Sequence, residues 1–258
     1  MADSKLKIDI RRDRILELLR QNGKVQVSEL SKELGATPVT IRNDLDALER
    51  DGYLVRIQGG ALLKSRTMGE WGGAEQQTAC LEEKQAIARA LVAQIPDGST
   101  LFLNSGTTTH CLAVALKERR NLNVVTNSLA VAMELGKHPA VRVILLGGEI
   151  NAQHGFTYGT DAEEQLRRYQ AGWTVLSVNG VSAKGGVTSF HAEETTIDRM
   201  MMERSNHAVI AADHTKISQT GFIHICDIGP ALKLVTDQKC SREAIRELEA
   251  LGMQVELA

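Results

Sequence analysis

Apolar residues recur at helical spacing in three short segments near the start of the chain. The second segment places Leu30 and Leu34 on one face, and we expect Ser28 to cap it. The third segment opens with Thr37 and Pro38, which suit an N-cap and the first position of a helix. Because each helix must bury its apolar face against the others, the pattern predicts a small helical domain.

The third segment continues into an order of elements that is typical of one DNA-binding unit. Ile41, Leu45 and Leu48 share one face, and polar residues occupy the opposite face. A strand-like segment at 53–58 and a turn at 59–60 come next. Helix, helix-turn-helix and β-hairpin in this order predict a winged helix-turn-helix, whose second paired helix enters the DNA major groove.

The outer face of the third segment carries side chains that can read base pairs. Arginine binds guanine through two hydrogen bonds, and asparagine binds adenine in the same way. The candidate DNA contacts are Thr37, Thr40, Arg42, Asn43, Arg56 and Gln58, and the candidate phosphate contacts are Arg11, Arg12, Arg14 and Lys24. A three-helix bundle that binds protein has the same periodicity, so the pattern alone leaves both functions open.

From residue 82 onward, strand-like and helix-like segments alternate, which is typical of an α/β domain with a largely parallel sheet. We expect strands at 100–103, 124–126, 141–146, 174–178, 207–211, 232–236 and 253–257, and helices near 110–117, 129–137, 161–169, 193–204 and 241–251. The predicted domains are a winged helix-turn-helix over 1–62, a linker over 63–78 without periodicity, and the α/β domain over 79–258.

Small and polar residues follow most of the expected strands, at the sheet edge where open α/β domains bind ligands. Residues 105–109 combine hydroxyls, a glycine and a helix N-terminus, which together favour an anion, and Lys216 offers a neutralising charge. Helix capping explains Asn127-Ser128 and Asp237 more simply. The candidate effector contacts are Asn104, Ser105, Gly106, Thr107, Thr108, Thr109, Asn127, Gly148, Asn179, Gly180 and Lys216.

Composition narrows the functional classes. Hydrophobic residues make up 43% and charged residues 24%, and the longest apolar run has six residues, far below the ~20 of a membrane helix. We therefore expect a cytoplasmic protein without a membrane partner. Four scattered cysteines predict neither a disulfide framework nor a metal site. Phosphate-loop, dinucleotide and nucleophile-elbow motifs do not occur, so we expect no cofactor and no enzyme activity.

The net charge of −2 is an average over two different regions. Residues 1–66 carry a balance of +3, and residues 67–258 carry −5. A mildly basic region of this size agrees with DNA binding but does not establish it.

Motifs in both regions resemble those of DeoR-type transcriptional repressors. They include RDRIL at 12–16, VSELS at 27–31, TIRNDL at 40–45, LNSGTTT at 103–109, VVTNS at 124–128 and ADHTK at 212–216. The resemblance implies a winged helix-turn-helix joined to a Rossmann-like sensor domain that resembles sugar-phosphate isomerases. It further implies double-stranded operator DNA as a partner and a phosphorylated sugar or related metabolite as effector.

Three of the candidate site residues depart from the family pattern. Many members carry arginine in place of Asn43, histidine in place of Gln58 and aspartate in place of Asn104. We hypothesise that Asn43 alters operator choice, so an Asn43→Arg variant should change the base preference at one or more operator positions. Loss of a carboxylate at Asn104 removes a strong acceptor for sugar hydroxyls, so the effector is expected to differ from the usual ones.

The leading hypothesis is a homo-oligomeric repressor, a dimer or tetramer, that a phosphorylated sugar releases from the operator of a carbohydrate-metabolism operon. The alternative is a sugar-phosphate isomerase-like enzyme with an accessory helix-turn-helix, in which Glu193 and Asp213 form the acid–base pair. Activation instead of repression also stays open.

Overall fold

The computed structural model describes residues 11–12, 14–16, 18–19, 24–50, 54–57, 59–63 and 79–258. The chain forms two compact units, residues 1–70 and 71–258. Most of the predicted linker at 63–78 lies outside the described residues.

The first unit consists of short helices and a small antiparallel sheet. Helical residues between 11 and 19 precede β1 (Lys24–Gln26), α1 (Val27–Glu33), α2 (Pro38–Arg50), β2 (Leu54–Ile57) and β3 (Gly60–Leu63). The strand order is β1-β3-β2, with both pairs antiparallel. This is the predicted winged helix-turn-helix. The sequence pattern did not predict β1, and the cap at Ser28 is wrong because α1 begins at Val27, with Gln26 in the cap position.

The expected inner faces form the core of this unit. Its fully or nearly fully buried side chains include Ile15, Leu19, Leu30, Ile41, Leu45, Leu48 and Leu54. Gly60 lets β3 lie directly against β1, since a Cβ at this position would stand 2.1 Å from the carbonyl oxygen of Val25.

Asp44 fixes the first helical segment to α2. Its carboxylate is buried, and its two oxygens lie 2.5 Å from Arg11 Nε and 3.2 Å from Arg12 Nε. Both arginines are partly buried, so these ion pairs are shielded from water more than a surface pair is.

Replacement of Asp44 by alanine is therefore expected to destabilise the first unit by about 2 kcal/mol, because two partly buried guanidinium groups lose their acceptor. Hydrogen exchange of the amides in α2 in the full chain measures this change. Glu29→Ala is the matched control, since Glu29 is an exposed carboxylate of α1 and its loss should change the exchange of α2 by less than about 1 kcal/mol. Equal protection of α2 in the Asp44→Ala variant and the parent chain would contradict this account.

The second unit is built on a seven-stranded parallel sheet. Its helices are α3 (Leu81–Gln94), α4 (Thr107–Ala115), α5 (Leu129–Leu135), α6 (Thr160–Leu166), α7 (Ala192–Glu203) and α8 (Arg242–Ala250). Its strands are β4 (Thr100–Leu103), β5 (Leu122–Thr126), β6 (Val141–Leu145), β7 (Glu149–Asn151), β8 (Phe156–Tyr158), β9 (Ala171–Ser177), β10 (Gly180–Ser182), β11 (Gly186–Ser189), β12 (Ser205–Ala211), β13 (Ile223–Cys226), β14 (Leu232–Thr236) and β15 (Gln254–Leu257).

The strand order of the large sheet is β15-β14-β12-β9-β4-β5-β6. The chain builds outward from β4 through β5 and β6, and then returns to the other side of β4 at β9. The switch point of the topology therefore lies between the carboxyl ends of β4 and β9, where ligands bind in open α/β sheets.

Apolar side chains alternate between the two faces of this sheet and form two cores. Phe102 and Leu176 contribute to one core, whereas Leu101, Leu103 and Val175 contribute to the other. Because helices cover both faces, the central strands are rich in apolar residues on both sides, which made them recognisable from sequence.

Two small antiparallel sheets were not predicted. They are the hairpin β7–β8 and the three-stranded sheet β10-β11-β13. Their strands are three or four residues long and carry several polar residues, so they lack the alternation that would distinguish them from loops. The helix expected near 110–117 starts earlier, at Thr107, which places residues 107–109 in its first turn.

Candidate functional site

The outer face of α2 presents the candidate base-reading side chains. Val39, Arg42 and Asn43 are exposed, on the side of the helix opposite the buried Ile41 and Leu45. Val39 is 62% exposed on this face.

The start of α2 has the predicted cap. Thr37 Oγ1 accepts a hydrogen bond from the Thr40 backbone N–H at 3.2 Å, and the two threonine hydroxyls lie 2.9 Å apart. Pro38 is the first helical residue. These threonines thus hold the end of the helix on which Arg42 and Asn43 stand.

Several predicted DNA-contact residues already have partners within the protein. Arg56 Nε lies 3.0 Å from Asp46 Oδ1, and its Nη1 donates to the Gly60 carbonyl oxygen at 2.9 Å. Arg56 therefore ties β2 to α2 and to the start of β3, and so holds the wing in place.

Three of the four candidate phosphate contacts also have partners within the protein. Arg11 and Arg12 are paired with Asp44, and Arg14 lies 3.5 Å from Glu33. Lys24 is exposed. Gln58 lies outside the described residues.

In the second unit, Asn104 occupies the switch point between β4 and β9. Its amide nitrogen donates to the Ser177 carbonyl oxygen at 2.9 Å and to Asp198 Oδ1 at 3.0 Å. Its amide oxygen accepts from the Ser177 backbone N–H at 2.9 Å. The side chain is fully buried, so Asn104 joins two strand ends to α7 and leaves no polar atom unsatisfied.

Two buried carboxyl groups on α7 face this edge of the sheet. Glu194 Oε1 accepts from the Ser105 backbone N–H at 3.1 Å, and Asp198 stands one helical turn further along. Burial raises the pKa of Glu194 well above its ordinary value, and the charge of Asp198 raises it further. Burial also raises the pKa of Asp198 to about 7, although the hydrogen bond from Asn104 acts to lower it.

These raised pKa values predict a pH-dependent stability. Between the ordinary pKa of an aspartate and about 7, the folded unit holds a proton on Asp198 that the unfolded chain has lost. The free energy of unfolding should therefore fall by about 2 kcal/mol as the pH rises from 5 to 7.5, and the raised pKa of Glu194 acts in the same direction. Urea denaturation at several pH values measures this slope.

Asp198→Asn is the matched variant for this prediction, since the asparagine keeps an acceptor for Asn104 and cannot ionise. We expect it to make the pH dependence less steep, because the contribution of Asp198 is gone, and to be more stable than the parent chain at pH 8. An unchanged slope would show that Asp198 titrates normally in the folded protein.

The loop before α4 brings backbone close to β9. A Cβ on Gly106 would stand 2.5 Å from the Ser177 Cβ, so a larger residue cannot occupy this position without displacement. Thr109 Oγ1 donates to the carbonyl oxygens of Asn104 and Gly106, each at 3.0 Å. Thr108 is buried and Thr107 is half-buried in the same first turn. The run thus combines a fixed backbone with N–H groups at a helix start.

The neighbouring loop contributes Asn127. Its amide nitrogen donates to the Thr157 carbonyl oxygen at 3.3 Å, and its buried Oδ1 has no donor among the residues that the structure describes. Ser128 caps α5 as predicted, with its hydroxyl accepting from the Val131 backbone N–H. Gly148 adopts φ +118° and lies against the Tyr158 carbonyl oxygen, where a side chain would clash.

Asn179 and Gly180 shape the small sheet after β9. Asn179 Oδ1 accepts from the Ser189 hydroxyl and the Phe190 backbone N–H, each at 3.1 Å. A Cβ on Gly180 would stand 2.5 Å from the Gln219 carbonyl oxygen. Asn179 therefore ties the start of β10 to the end of β11, and Gly180 permits the close approach of the segment at Gln219.

Two lysines lie further along the carboxyl edge of the sheet. Lys216 is half-buried on a short helical turn, and the buried Lys84 donates to the Ala79 carbonyl oxygen at 2.7 Å. Burial lowers the pKa of Lys84, and the nearby charge of Lys216 lowers it as well. The carboxylate of Asp213 acts on the pKa of Lys84 in the opposite direction and compensates part of the positive charge of the two lysines. Lys84 was not predicted as a site residue, because its burial depends on how α3 packs.

The predicted cap at Asp237 has a different role. Its carboxylate accepts from the His214 backbone N–H at 2.7 Å and lies 3.0 Å from His214 Nδ1. Ser241, rather than Asp237, precedes α8. Asp237 therefore connects the ends of β12 and β14.

The isomerase alternative requires Glu193 and Asp213 to act as an acid–base pair, but the two side chains differ in burial. Glu193 is exposed on α7, whereas Asp213 is buried and accepts from the Thr215 backbone N–H at 3.0 Å. It is the next residue, Glu194, that contacts Ser105.

The comparisons with known proteins cover nearly the whole chain. The family model of the DeoR-like helix-turn-helix domain matches residues 11–67, and that of the DeoR C terminal sensor domain matches residues 79–238. No helix among the described residues has the length and apolar character to cross a bilayer.

Individual relatives agree with this match. The glycerol-3-phosphate regulon repressor of Escherichia coli is 32% identical over 248 residues, covering 96% of this chain and 98% of the relative. The HTH-type transcriptional regulator GolR of Listeria innocua is 31% identical over the same shares. The lactose phosphotransferase system repressor of Lactococcus lactis is 30% identical, covering 92% of this chain and 94% of the relative.

Among solved structures, ribose 5-phosphate isomerase A of Methanocaldococcus jannaschii aligns with 54% of this chain and 55% of its own, at 13% identity and a TM-score of 0.40. The full-length relatives are repressors and regulators, which favours the regulatory hypothesis over the isomerase alternative. The chain therefore belongs to the DeoR family, and it is a DNA-binding transcriptional regulator.

Proposed function

We propose that this regulator is a cytoplasmic homo-oligomeric repressor that a small phosphorylated sugar or related metabolite releases from its operator. The start of α4 at the switch point between β4 and β9 carries the proposal, because a helix N-terminus at this edge is suited to a phosphate. Relatives named for glycerol-3-phosphate and for a lactose phosphotransferase system support a phosphorylated carbohydrate.

The DNA-binding step uses the exposed face of α2. Arg42 and Asn43 are the proposed base contacts, Thr37 and Thr40 fix the end of the helix, and Arg56 holds the wing against it. An oligomer places two such helices on half-sites separated by a helical turn of ~34 Å or a multiple of it. A repressor that binds as a dimer or tetramer therefore reads a symmetric operator.

The proposed effector site combines basic and acidic side chains at the carboxyl edge of the sheet. The predicted contacts are Asn104, Ser105, Gly106, Thr107, Thr108, Thr109, Asn127, Gly148, Asn179, Gly180 and Lys216, to which the structure adds Lys84 and Glu194. Of these, Asn104 is buried with its amide atoms bonded to Ser177 and Asp198, so we assign it a positioning role at the ends of β4 and β9. Lys84 and Lys216 supply positive charge for a phosphate, and the unpaired Oδ1 of Asn127 is an acceptor for a hydroxyl.

The protonation state of Glu194 affects the binding of a phosphate at this site. Its carboxyl group already receives the Ser105 N–H, so a phosphate at the start of α4 would meet a like charge if Glu194 were ionised. The raised pKa of Glu194 allows the neutral acid, which repels no anion and can donate a hydrogen bond.

A thermal-shift panel on the full chain tests the effector class. We expect one phosphorylated sugar or glycerol 3-phosphate to raise the melting temperature, and its unphosphorylated counterpart to leave it unchanged. Lys216→Ala should abolish the shift without altering the melting temperature of the ligand-free protein, because Lys216 is half-buried at the edge of the fold. Equal shifts from the phosphorylated and unphosphorylated compounds would overturn the proposed phosphate site.

A further inference from the structure

Three side chains that can bind metal ions meet beside α3. A thiol sulfur of Cys80, a carboxylate oxygen of Asp213 and a ring nitrogen of His214 all lie within 4.8 Å of one another. Cys80 immediately precedes α3, and the other two residues follow β12. The fold therefore joins two distant segments of the sequence, which is why the scattered cysteines gave no metal-ligand spacing.

The imidazole ring of His214 is held by a buried carboxylate. Its Nδ1 lies 3.0 Å from Asp237 Oδ1, which leaves Nε2 as the nitrogen for another partner. Asp237 is itself fixed, since it accepts from the backbone N–H groups of His214 at 2.7 Å and Lys239 at 2.9 Å. A carboxylate behind a histidine in this manner is the usual support of a metal-binding imidazole.

The charges around the Cys80 sulfur favour a cation. With a thiolate at Cys80, the negative charges of this thiolate and of Asp213, Glu83 and Asp237 outnumber the ammonium groups of Lys84 and Lys239 that act at this place. The Lys84 Nζ is directed to the Ala79 carbonyl oxygen at 2.7 Å. A bound divalent ion would compensate the excess of negative charge.

We propose that Cys80, Asp213 and His214 form a binding site for a divalent transition-metal ion of the zinc type. Thiolate, imidazole and carboxylate are the ligands that Zn²⁺ takes in proteins, whereas Mg²⁺ and Ca²⁺ prefer oxygen alone. Ligand atoms of a tetrahedral zinc ion stand roughly 3.5 Å apart, so modest side-chain rotations close the present spacing. Three protein ligands leave a fourth position open for water or for an anionic oxygen.

Titration of the full chain with Co²⁺ in place of Zn²⁺ tests the site. We expect one Co²⁺ per chain with a thiolate-to-cobalt charge-transfer band, which an equivalent of Zn²⁺ removes. Cys80→Ser should abolish the band, and Cys226→Ser is the matched control that should keep it, because Cys226 is half-buried on β13 outside the cluster. Asp237→Asn should weaken Zn²⁺ binding by roughly 10–100-fold while the band persists.

Three results would overturn the proposal. One is the absence of the band with the parent chain, another is an unchanged band in Cys80→Ser, and the third is an unchanged affinity in His214→Ala. The His214 variant keeps the test decisive if Cys80→Ser does not fold, as judged by circular dichroism. Because metal binding is measured directly, the outcome is independent of operator and effector binding.

Discussion

Replacement of Asn104 by aspartate is expected to destabilise the second unit by about 3–5 kcal/mol at pH 8. The asparagine amide donates to Asp198 and to the Ser177 carbonyl oxygen, whereas an ionised aspartate can donate to neither. It would add a second buried negative charge beside Asp198, without a cation to compensate it, and uncompensated buried charges have costs of this size. Urea denaturation of the full chain measures the change.

The same variant should respond to pH in a characteristic way. At pH 5 the introduced carboxyl group and that of Asp198 can share a proton, so the loss of stability should be smaller than at pH 8. Asn206→Asp is the control, since Asn206 is exposed on β12 and the same change there should have an effect within about 0.5 kcal/mol. Equal stability of the Asn104→Asp variant and the parent chain at pH 8 would show that Asp198 does not need the amide.

Replacement of Arg42 by alanine is expected to weaken operator binding by roughly 100-fold. Arg42 is exposed on α2 beyond the first turn, and one specific contact between arginine and guanine contributes about 1–3 kcal/mol. In an oligomer the loss occurs at two half-sites. Fluorescence anisotropy with a duplex selected from a randomised library measures the affinity.

Lys32→Ala is the matched control for this variant. Lys32 is also an exposed cation of the first unit, but it belongs to α1, near the end of that helix. It should change the affinity by a few-fold at most and should do so equally for specific and random DNA, because it is not placed to read bases. Operator binding of parental strength by Arg42→Ala would refute the assignment of α2 as the recognition helix.

Periodicity predicted the parts of the fold that have buried apolar faces. Ile41, Leu45 and Leu48 indicated α2, and the continuous apolar runs of β4 and β9 indicated a parallel sheet. The cap at Thr37 was predictable because a threonine before proline is a strong local signal. The two small antiparallel sheets were not, because strands of three or four residues show no clear period.

The chemistry of the sheet edge was predictable only in part. Hydroxyls and glycines after β4 marked the region, since these residues follow an apolar strand directly. The carboxyl groups of Glu194 and Asp198 were not identified as a pair, because their burial beside Asn104 depends on how α7 packs. Lys84 and Cys80 were missed for the same reason, as both lie at the start of a helix far in sequence from their partners.

The most direct test of the account is the affinity of the full chain for its selected operator, with and without the phosphorylated ligand that best raises the melting temperature. We predict that this ligand weakens operator binding by roughly 5–150-fold, and that Lys216→Ala loses this response while keeping the operator affinity of the parent chain. Release by the unphosphorylated counterpart at the same concentration, or unchanged operator binding with saturating phosphorylated ligand, would contradict a repressor controlled by an anion at the start of α4.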